Sequence, residues 1–252
     1  MRVLGPMLYT LLVWWASTGV ILYLNGLPRH WHPPLMGAAT VLLAVALCGV
    51  AVSADDTRVT GAYLAFTAAI AVWGWQELAF LLGYLTGPRR HPCPSQATGW
   101  PRAGHAIMAI LWHELTLVVL ATAILWLCWG RPNPVAVWTF AVLWVMRLSA
   151  KLNVFLGVRN LSEQFLPEHL RYLQSYFRRR PRNSLFATSV LVGTLCAGAV
   201  WQAATHPDAS PFAATGATLV ATLLSLAVVE HWFMVLPLPS EKLWNWGMRS
   251  RR

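Results

Sequence analysis

Apolar runs of about 20 residues recur along the whole chain, and they constrain its fold more than any other feature. A run of this length crosses the hydrocarbon core of a bilayer as a helix, because the lack of water there requires internal backbone hydrogen bonds. Seven such runs are present, at residues 3–24, 34–53, 61–85, 105–129, 134–158, 183–204 and 212–236. We therefore predict an all-α, polytopic membrane helical bundle that forms a single transmembrane domain over residues 1–252.

The composition excludes several other classes of protein. Only 11% of the residues are charged, whereas soluble domains average about 25%. The net charge of +10 does not indicate nucleic-acid binding, because the basic residues lie in loops beside the spans, where they contact lipid headgroups. The four cysteines form no CxxC motif, so neither a disulfide framework nor a cysteine zinc site is predicted.

The loop charges predict the orientation of the bundle. Three arginines lie on the side of the N-terminus, namely Arg2, Arg58 and Arg131, and 14 lysines and arginines lie in the loops of the other side. The positive-inside rule then places the C-terminus in the cytoplasm and the N-terminus outside it. The first span is too long for a signal-peptide core, and we expect it to be retained as a helix.

A short amphipathic helix is predicted at residues 167–180, on the cytoplasmic side. Pro167 suits the first helical position, Glu168 suits the positive helix end, and Leu170 and Leu173 belong to one apolar face. Such a helix is expected in the membrane interface, as a docking surface or as an ordinary connector. The basic residues assigned to lipid or partner binding here are Arg159, Arg171, Arg178, Arg179, Arg180 and Arg182.

Ionisable residues inside the spans indicate a polar site. Arg147 and Lys151 are four residues apart and share one helix face. Counted at about 1.5 Å per residue from the predicted span ends, these cations and the glutamates lie in the same half of the membrane. Charges in the bilayer are costly and normally face a partner or a cavity. The candidate members are Glu77, His113, Glu114, Arg147, Lys151, Glu230 and His231.

Three interpretations of this cluster remain open from the residues alone. The charges are ion pairs that fix helix packing, with Arg147 and Lys151 neutralising two of three glutamates. Alternatively, carboxylates and imidazoles hold a transition metal, as in carboxylate-rich bundles. A single intramembrane histidine could instead ligate the magnesium of a chlorophyll or a haem iron. The metal candidates are Glu77, His113, Glu114, Glu230 and His231, and the tetrapyrrole candidates are His113 and His231.

Four stretches carry a family resemblance. Residues 151–181, KLNVFLGVRNLSEQFLPEHLRYLQSYFRRRP, and residues 230–244, EHWFMVLPLPSEKLW, resemble the photosynthetic complex assembly protein 2 (PuhE) family of anoxygenic phototrophic bacteria. Residues 17–29 and 73–89 support the match. The resemblance implies a protein of the bacterial inner (intracytoplasmic) membrane, with a periplasmic N-terminus and reaction-centre or light-harvesting subunits and other assembly factors as partners. It adds Asn153 to the candidate site and supplies no catalytic residue.

The leading hypothesis is an assembly factor for the reaction centre–light-harvesting complex, with bacteriochlorophyll or a precursor as a candidate ligand. The alternative is an intramembrane metal-dependent enzyme of pigment metabolism that uses the Glu/His cluster. An ion-coupled transporter ranks last, because the chain shows no inverted repeat and no proline-broken helices at corresponding positions. Bound metal would favour the enzyme, and co-purifying photosynthetic subunits would favour the assembly factor.

Overall fold

The computed structural model describes residues 2–181 and 183–251, and the regular secondary structure of this part of the chain is helical. All seven long helices are apolar and long enough to cross a membrane. This confirms the prediction of an all-α, multi-pass membrane protein. The helices are α1 Leu4–Asn25, α2 His32–Ser53, α3 Val59–Leu81, α4 Gly99–Leu127, α5 Val135–Leu156, α6 Ser184–Ala204 and α7 Pro211–Phe233.

Helices α3 and α7 form the centre of the bundle. More than half of each is buried, compared with about a tenth of α2 and α6. Helix α3 contacts α1, α2, α4, α5 and α7, and α7 contacts α1, α3, α5 and α6. Helix α5 packs against both central helices. The largest fully buried apolar side chains include Phe66, Leu117, Phe140 and Leu219.

Some span boundaries differ from the prediction. Helix α3 ends at Leu81 rather than at residue 85, because the chain turns through Gly83, whose φ of +85° is a left-handed conformation suited to glycine. Helix α7 ends at Phe233 rather than at residue 236, and α4 begins at Gly99, six residues before the predicted start. Hydropathy detects the apolar core of a span and not the polar turns that extend a helix.

The segment that follows α3 lies along α4. The backbone N–H of His113 donates to the Thr86 carbonyl, and that of Arg89 donates to the Met108 carbonyl. Between them, Gly87 approaches α4 so closely that a Cβ atom would lie 2.1 Å from the Met108 oxygen. This contact places His113 beside the chain that leaves α3.

Two segments, the described residues 157–181 and 234–251, cover the end of the bundle where α1, α3, α5 and α7 finish; we call them the cap. The short helix predicted at residues 167–180 is a 3₁₀-helix over Glu168–Tyr176. Its buried residues Leu170, Leu173 and Tyr176 recur every three positions, which aligns them on one face of a 3₁₀-helix.

That apolar face packs on the protein rather than on lipid. Leu170 and Leu173 belong to a cluster with Phe80 and Leu81 of α3 and Ala109 of α4. After Tyr176 the chain is extended: Val158 N–H donates to the Arg178 carbonyl, and Arg180 N–H donates to the Val158 carbonyl. This segment is therefore folded against the ends of the helices.

Side chains of α4 and of the cap also bind carbonyl groups that helix C-termini leave without partners. Arg102 of α4 donates to the Phe155 carbonyl of α5 and to the Tyr176 carbonyl of the cap. Asn160 donates to the Phe233 carbonyl at the end of α7 at 2.9 Å. These bonds tie the cap to the ends of the bundle.

Candidate functional site

The first ion pair of the site joins α3 and α5. Nη2 of Arg147 lies 3.0 Å from Oε2 of Glu77. Glu77 is buried, and its second oxygen, Oε1, has no hydrogen-bond partner among the described residues. The Arg147 side chain, by contrast, is 45% exposed. The pair therefore couples an enclosed carboxylate to an accessible guanidinium.

The second ion pair joins α4 and α5. Nζ of Lys151 lies 2.5 Å from Oε1 of Glu114, and both side chains are about three-quarters buried. Lys151 follows Arg147 by one helical turn, so one face of α5 supplies both cations. The pairing neutralises two of the three glutamates.

The third glutamate, Glu230 on α7, forms no ion pair with any residue that the structure describes. Its Oε1 accepts a hydrogen bond of 2.8 Å from the indole N–H of Trp14 on α1. Arg147 and Glu77 lie near enough to interact electrostatically with it. Glu230 belongs to α7, one of the two central helices, and is nevertheless exposed.

Arg147 and Glu230 keep accessible surface beside Trp14 and Glu77, and we call the region bordered by these four residues the polar cleft. On α5, Arg147 projects about 160° away from the exposed Val145, at about 100° per residue. Its accessible surface therefore faces the interior of the bundle. Glu77 lies four residues and Glu230 three residues before the ends of their helices.

His113 lies outside the polar cleft. It is 1% exposed and stacks 4.6 Å from the Phe80 ring. Nε2 of Gln76 lies 3.0 Å from its Nδ1 and donates to its backbone carbonyl at 2.9 Å. Its neighbour Glu114 turns instead toward Lys151, as the angle of about 100° between adjacent helical residues requires. In this arrangement the His113 ring is not open to a metal or pigment.

His231 belongs to a separate, neutral network. Nδ1 donates to the Ala227 carbonyl at 2.8 Å, and Nε2 lies 2.9 Å from the Ser149 hydroxyl. The Ser149 hydroxyl is also 2.9 Å from that of Ser189 on α6. Both ring nitrogens of His231 therefore have hydrogen-bond partners in this structure.

Asn153, one turn after Ser149, completes this neutral network. It is fully buried and donates to the Ser149 carbonyl and to the Ser189 hydroxyl. It accepts from Asn183, whose side chain caps the start of α6 by accepting from Leu185 N–H. We call this set, Ser149, Asn153, Asn183, Ser189 and His231, the neutral network.

The five metal candidates do not form a single set of ligands. Glu77 and Glu114 each bind a different cation, Glu230 binds Trp14, and the two histidines lie in other environments. Across residues 2–181 and 183–251, no group of three or more His, Cys, Asp or Glu side chains is placed to hold a metal ion.

The basic residues assigned to docking lie on the cap. The exposed ones are Arg159, Arg171, Arg179 and Arg180, and Arg178 is half-buried. Arg179 pairs with Glu163 at 3.2 Å. Arg182 lies outside the described residues. Among the docking residues, Arg179 lines an open cleft of about 360 Å³ at the cap surface, together with Asn160, Leu161, Ser162, Glu163, Gln164, Pro237, Leu238 and Pro239.

Sequence reasoning missed Trp14, Gln76 and Ser149 as polar partners. Trp14 and Glu230 are 216 positions apart, so no local pattern could link them. Ser149 and Asn153 are four residues apart on α5, which is a signal for a shared polar face that could have been read. Arg102 was counted as a loop charge, although it is a buried part of α4.

Comparison with known proteins places the chain in a defined group. Residues 1–252 match the model of a family described as "Protein of unknown function (DUF3623)". A protein of Rhodobacter capsulatus is 42% identical over 249 residues, which cover 96% of this chain and 90% of that protein. It is described as an uncharacterized 30.4 kDa protein in the region 5′ of puhA. No solved structure matches the chain.

Proposed function

The chain belongs to the DUF3623 family, and from that premise we propose that it assists assembly of the bacterial photosynthetic reaction centre–light-harvesting complex. The observation that carries the proposal is the position of its relative in the region 5′ of puhA, a photosynthesis gene context. The resemblance of residues 151–181 and 230–244 to the PuhE family supports the same role.

The proposed location is the bacterial inner membrane, with a periplasmic N-terminus and a cytoplasmic cap. Loop charges support this orientation, because the exposed arginines of the cap lie at the end of the bundle that carries most of the basic residues. On this proposal, Arg159, Arg171, Arg179 and Arg180 contact anionic lipid or an acidic surface of a partner.

The polar cleft is the proposed position at which a ligand or a partner helix is held. Its support is the accessible surface of Arg147 and Glu230 inside the bundle, where a paired structural charge has no need of open space. Because His113 and His231 are both engaged by other groups, a pigment would have to be held at the cleft by other contacts. No observation favours the metal-dependent enzyme.

The test is gentle detergent purification from phototrophically grown cells, followed by identification of co-purifying proteins, an absorption spectrum and elemental metal analysis. Reaction-centre or light-harvesting subunits at stoichiometric yield are the expected result. A tetrapyrrole spectrum would assign pigment handling to the assembly role. A full equivalent of transition metal without photosynthetic subunits would overturn the proposal in favour of the enzyme.

A matched pair of variants tests the docking surface. One carries Arg171→Gln, Arg179→Gln and Arg180→Gln on the cap, and its control carries Arg2→Gln, Arg58→Gln and Arg131→Gln at the opposite end. We expect the cap variant alone to reduce co-purification of photosynthetic subunits, although both remove three positive charges. Equal recovery from both variants would contradict docking through the cap.

A further inference from the structure

The polar cleft carries one carboxylate more than its cations can balance. Glu77 pairs with Arg147 and Glu114 pairs with Lys151, so among the described residues these four charges cancel. Glu230 remains, with an uncharged indole N–H as its hydrogen-bond donor. An unbalanced carboxylate inside a membrane bundle is costly unless a proton or another positive group joins it.

The helix ends increase this negative potential. Glu77 and Glu230 both lie near the C-terminal ends of their helices, where the helix dipole contributes partial negative charge. A carboxylate at such an end is disfavoured and a cation is favoured. The field around Glu230 therefore selects for a positively charged group.

Aromatic rings border the same position. The indole of Trp14 packs against that of Trp244 in the cap, with ring centroids 5.1 Å apart and planes at 72°. Indole faces attract ammonium groups through their quadrupole. A carboxylate beside indole rings is thus a suitable environment for an amine or a methylated ammonium.

The cleft also offers an accessible cation close to Glu230. The guanidinium of Arg147 uses Nη2 to bind Glu77, and almost half of the side chain remains exposed. A ligand at Glu230 can therefore present a positive group to the carboxylate and an anionic group to the free side of Arg147. Guanidinium groups bind phosphate oxygens through several N–H donors at once.

Depth indicates the source of such a ligand. Arg147 lies about 13.5 Å inside the end of α5, at 1.5 Å per residue, and its guanidinium reaches the carboxylate of Glu77. Glu230 lies about 4.5 Å and Glu77 about 6 Å inside the ends of their helices. This is the level at which the headgroups of a bilayer meet the acyl chains. We propose that the polar cleft binds the zwitterionic headgroup of an amino-phospholipid, with its ammonium at Glu230 and its phosphate at Arg147.

The inference goes beyond the assembly role and does not depend on it, because it concerns the isolated protein. The test uses full-length protein, delipidated in detergent and supplied with phosphatidylethanolamine or phosphatidylglycerol. Both lipids carry the phosphodiester, and only the first carries an amine. Native mass spectrometry measures the lipid retained, and thermal unfolding measures the stabilisation.

Wild-type protein is expected to retain phosphatidylethanolamine about tenfold more strongly than phosphatidylglycerol, as loss of one charge-assisted contact implies. Glu230→Gln should abolish this preference, and Glu163→Gln, which alters a cap carboxylate outside the cleft, should keep it. The double variant Arg147→Gln with Glu77→Gln should weaken retention of both lipids, because they share the phosphate.

Equal retention of the two lipids by wild-type protein overturns the proposal, whether or not the Glu230 variant folds. Persistence of the preference in a folded Glu230→Gln protein overturns it as well. Soluble phosphoethanolamine separates the headgroup from its lipid: equal stabilisation by the soluble compound would reject a lipid as the ligand. Failure of these tests leaves the assembly role open, since that role is judged by co-purification.

Discussion

Helix α5 carries polar residues on two of its faces, and the two faces differ in charge and in how enclosed they are. Arg147 and Lys151 lie on one face, and Ser149 and Asn153 lie about 160° away on the other. The second face joins the neutral network, which is closed and hydrogen-bonded to α6 and α7. The first borders an open cleft and carries formal charge.

The difference separates a packing device from a candidate binding site. In the neutral network, buried amides, hydroxyls and an imidazole bind one another, so helix packing is specified without the cost of buried charge. At the polar cleft, the two carboxylates of Glu77 and Glu230 meet one cation, Arg147, which keeps accessible surface that its ion pair does not use. An unequal charge count beside open space is what a ligand site needs and a packing contact does not.

We expect the largest loss of unfolding free energy from Lys151→Met. It leaves the carboxylate of Glu114 without its cation at a position that is mostly buried, and the expected loss of unfolding free energy is about 3 kcal/mol. Unfolding in mixed micelles measures it. Combining Lys151→Met with Glu114→Gln should restore most of the loss, because no unpaired charge then remains. Additive losses would mean that the two side chains are not coupled.

We expect the second largest loss of unfolding free energy from Asn153→Leu, which removes a member of the neutral network. The isosteric change removes one hydrogen-bond partner each from Asn183, Ser189 and the Ser149 carbonyl, at an expected cost of about 1–3 kcal/mol. Recovery of photosynthetic subunits by the folded fraction should stay unchanged. Loss of that recovery at full stability would show that the closed face of α5 is functional too.

Glu77→Gln should cost about 1 kcal/mol or less, because the Arg147 side chain that loses its partner is accessible and can be solvated. The same unfolding assay gives the comparison with Lys151→Met. A loss as large as that of Lys151→Met would contradict an open cleft around Arg147.

The smallest expected effect is a dependence of stability on pH that arises from His169 in the cap. Burial lowers the pKa of His169 below its ordinary value of 6.5, and the neighbouring Arg29, His32 and Arg90 act in the same direction. The folded state therefore resists protonation, so stability is full above pH 6.5 and is lost as the pH falls through the folded-state pKa. The thermal unfolding temperature should drop between pH 7.5 and pH 5.5 more in wild type than in His169→Gln. Equal drops would assign the effect to other groups.

Sequence periodicity and length were sufficient for much of the architecture. Seven spans, their order and the shared face of Arg147 and Lys151 all follow from local rules, because helix geometry converts sequence spacing into face and depth. The same rules predicted that Glu77, Glu114 and Glu230 lie in one half of the membrane. The short helix of the cap was predicted, but its apolar face was expected at the membrane interface and packs instead on α3 and α4, because an apolar repeat does not say what will cover it.

Only the tertiary structure decided which groups meet. Local spacing cannot say which glutamate receives which cation, that Trp14 binds Glu230 across 216 positions, or that His231 turns toward Ser149 rather than toward a ligand. Helix rotation and neighbour order set these contacts, and they depend on packing summed over the whole bundle. The sequence by itself determined how many helices cross the membrane and which charges they carry, and packing determined that one carboxylate was left facing open space.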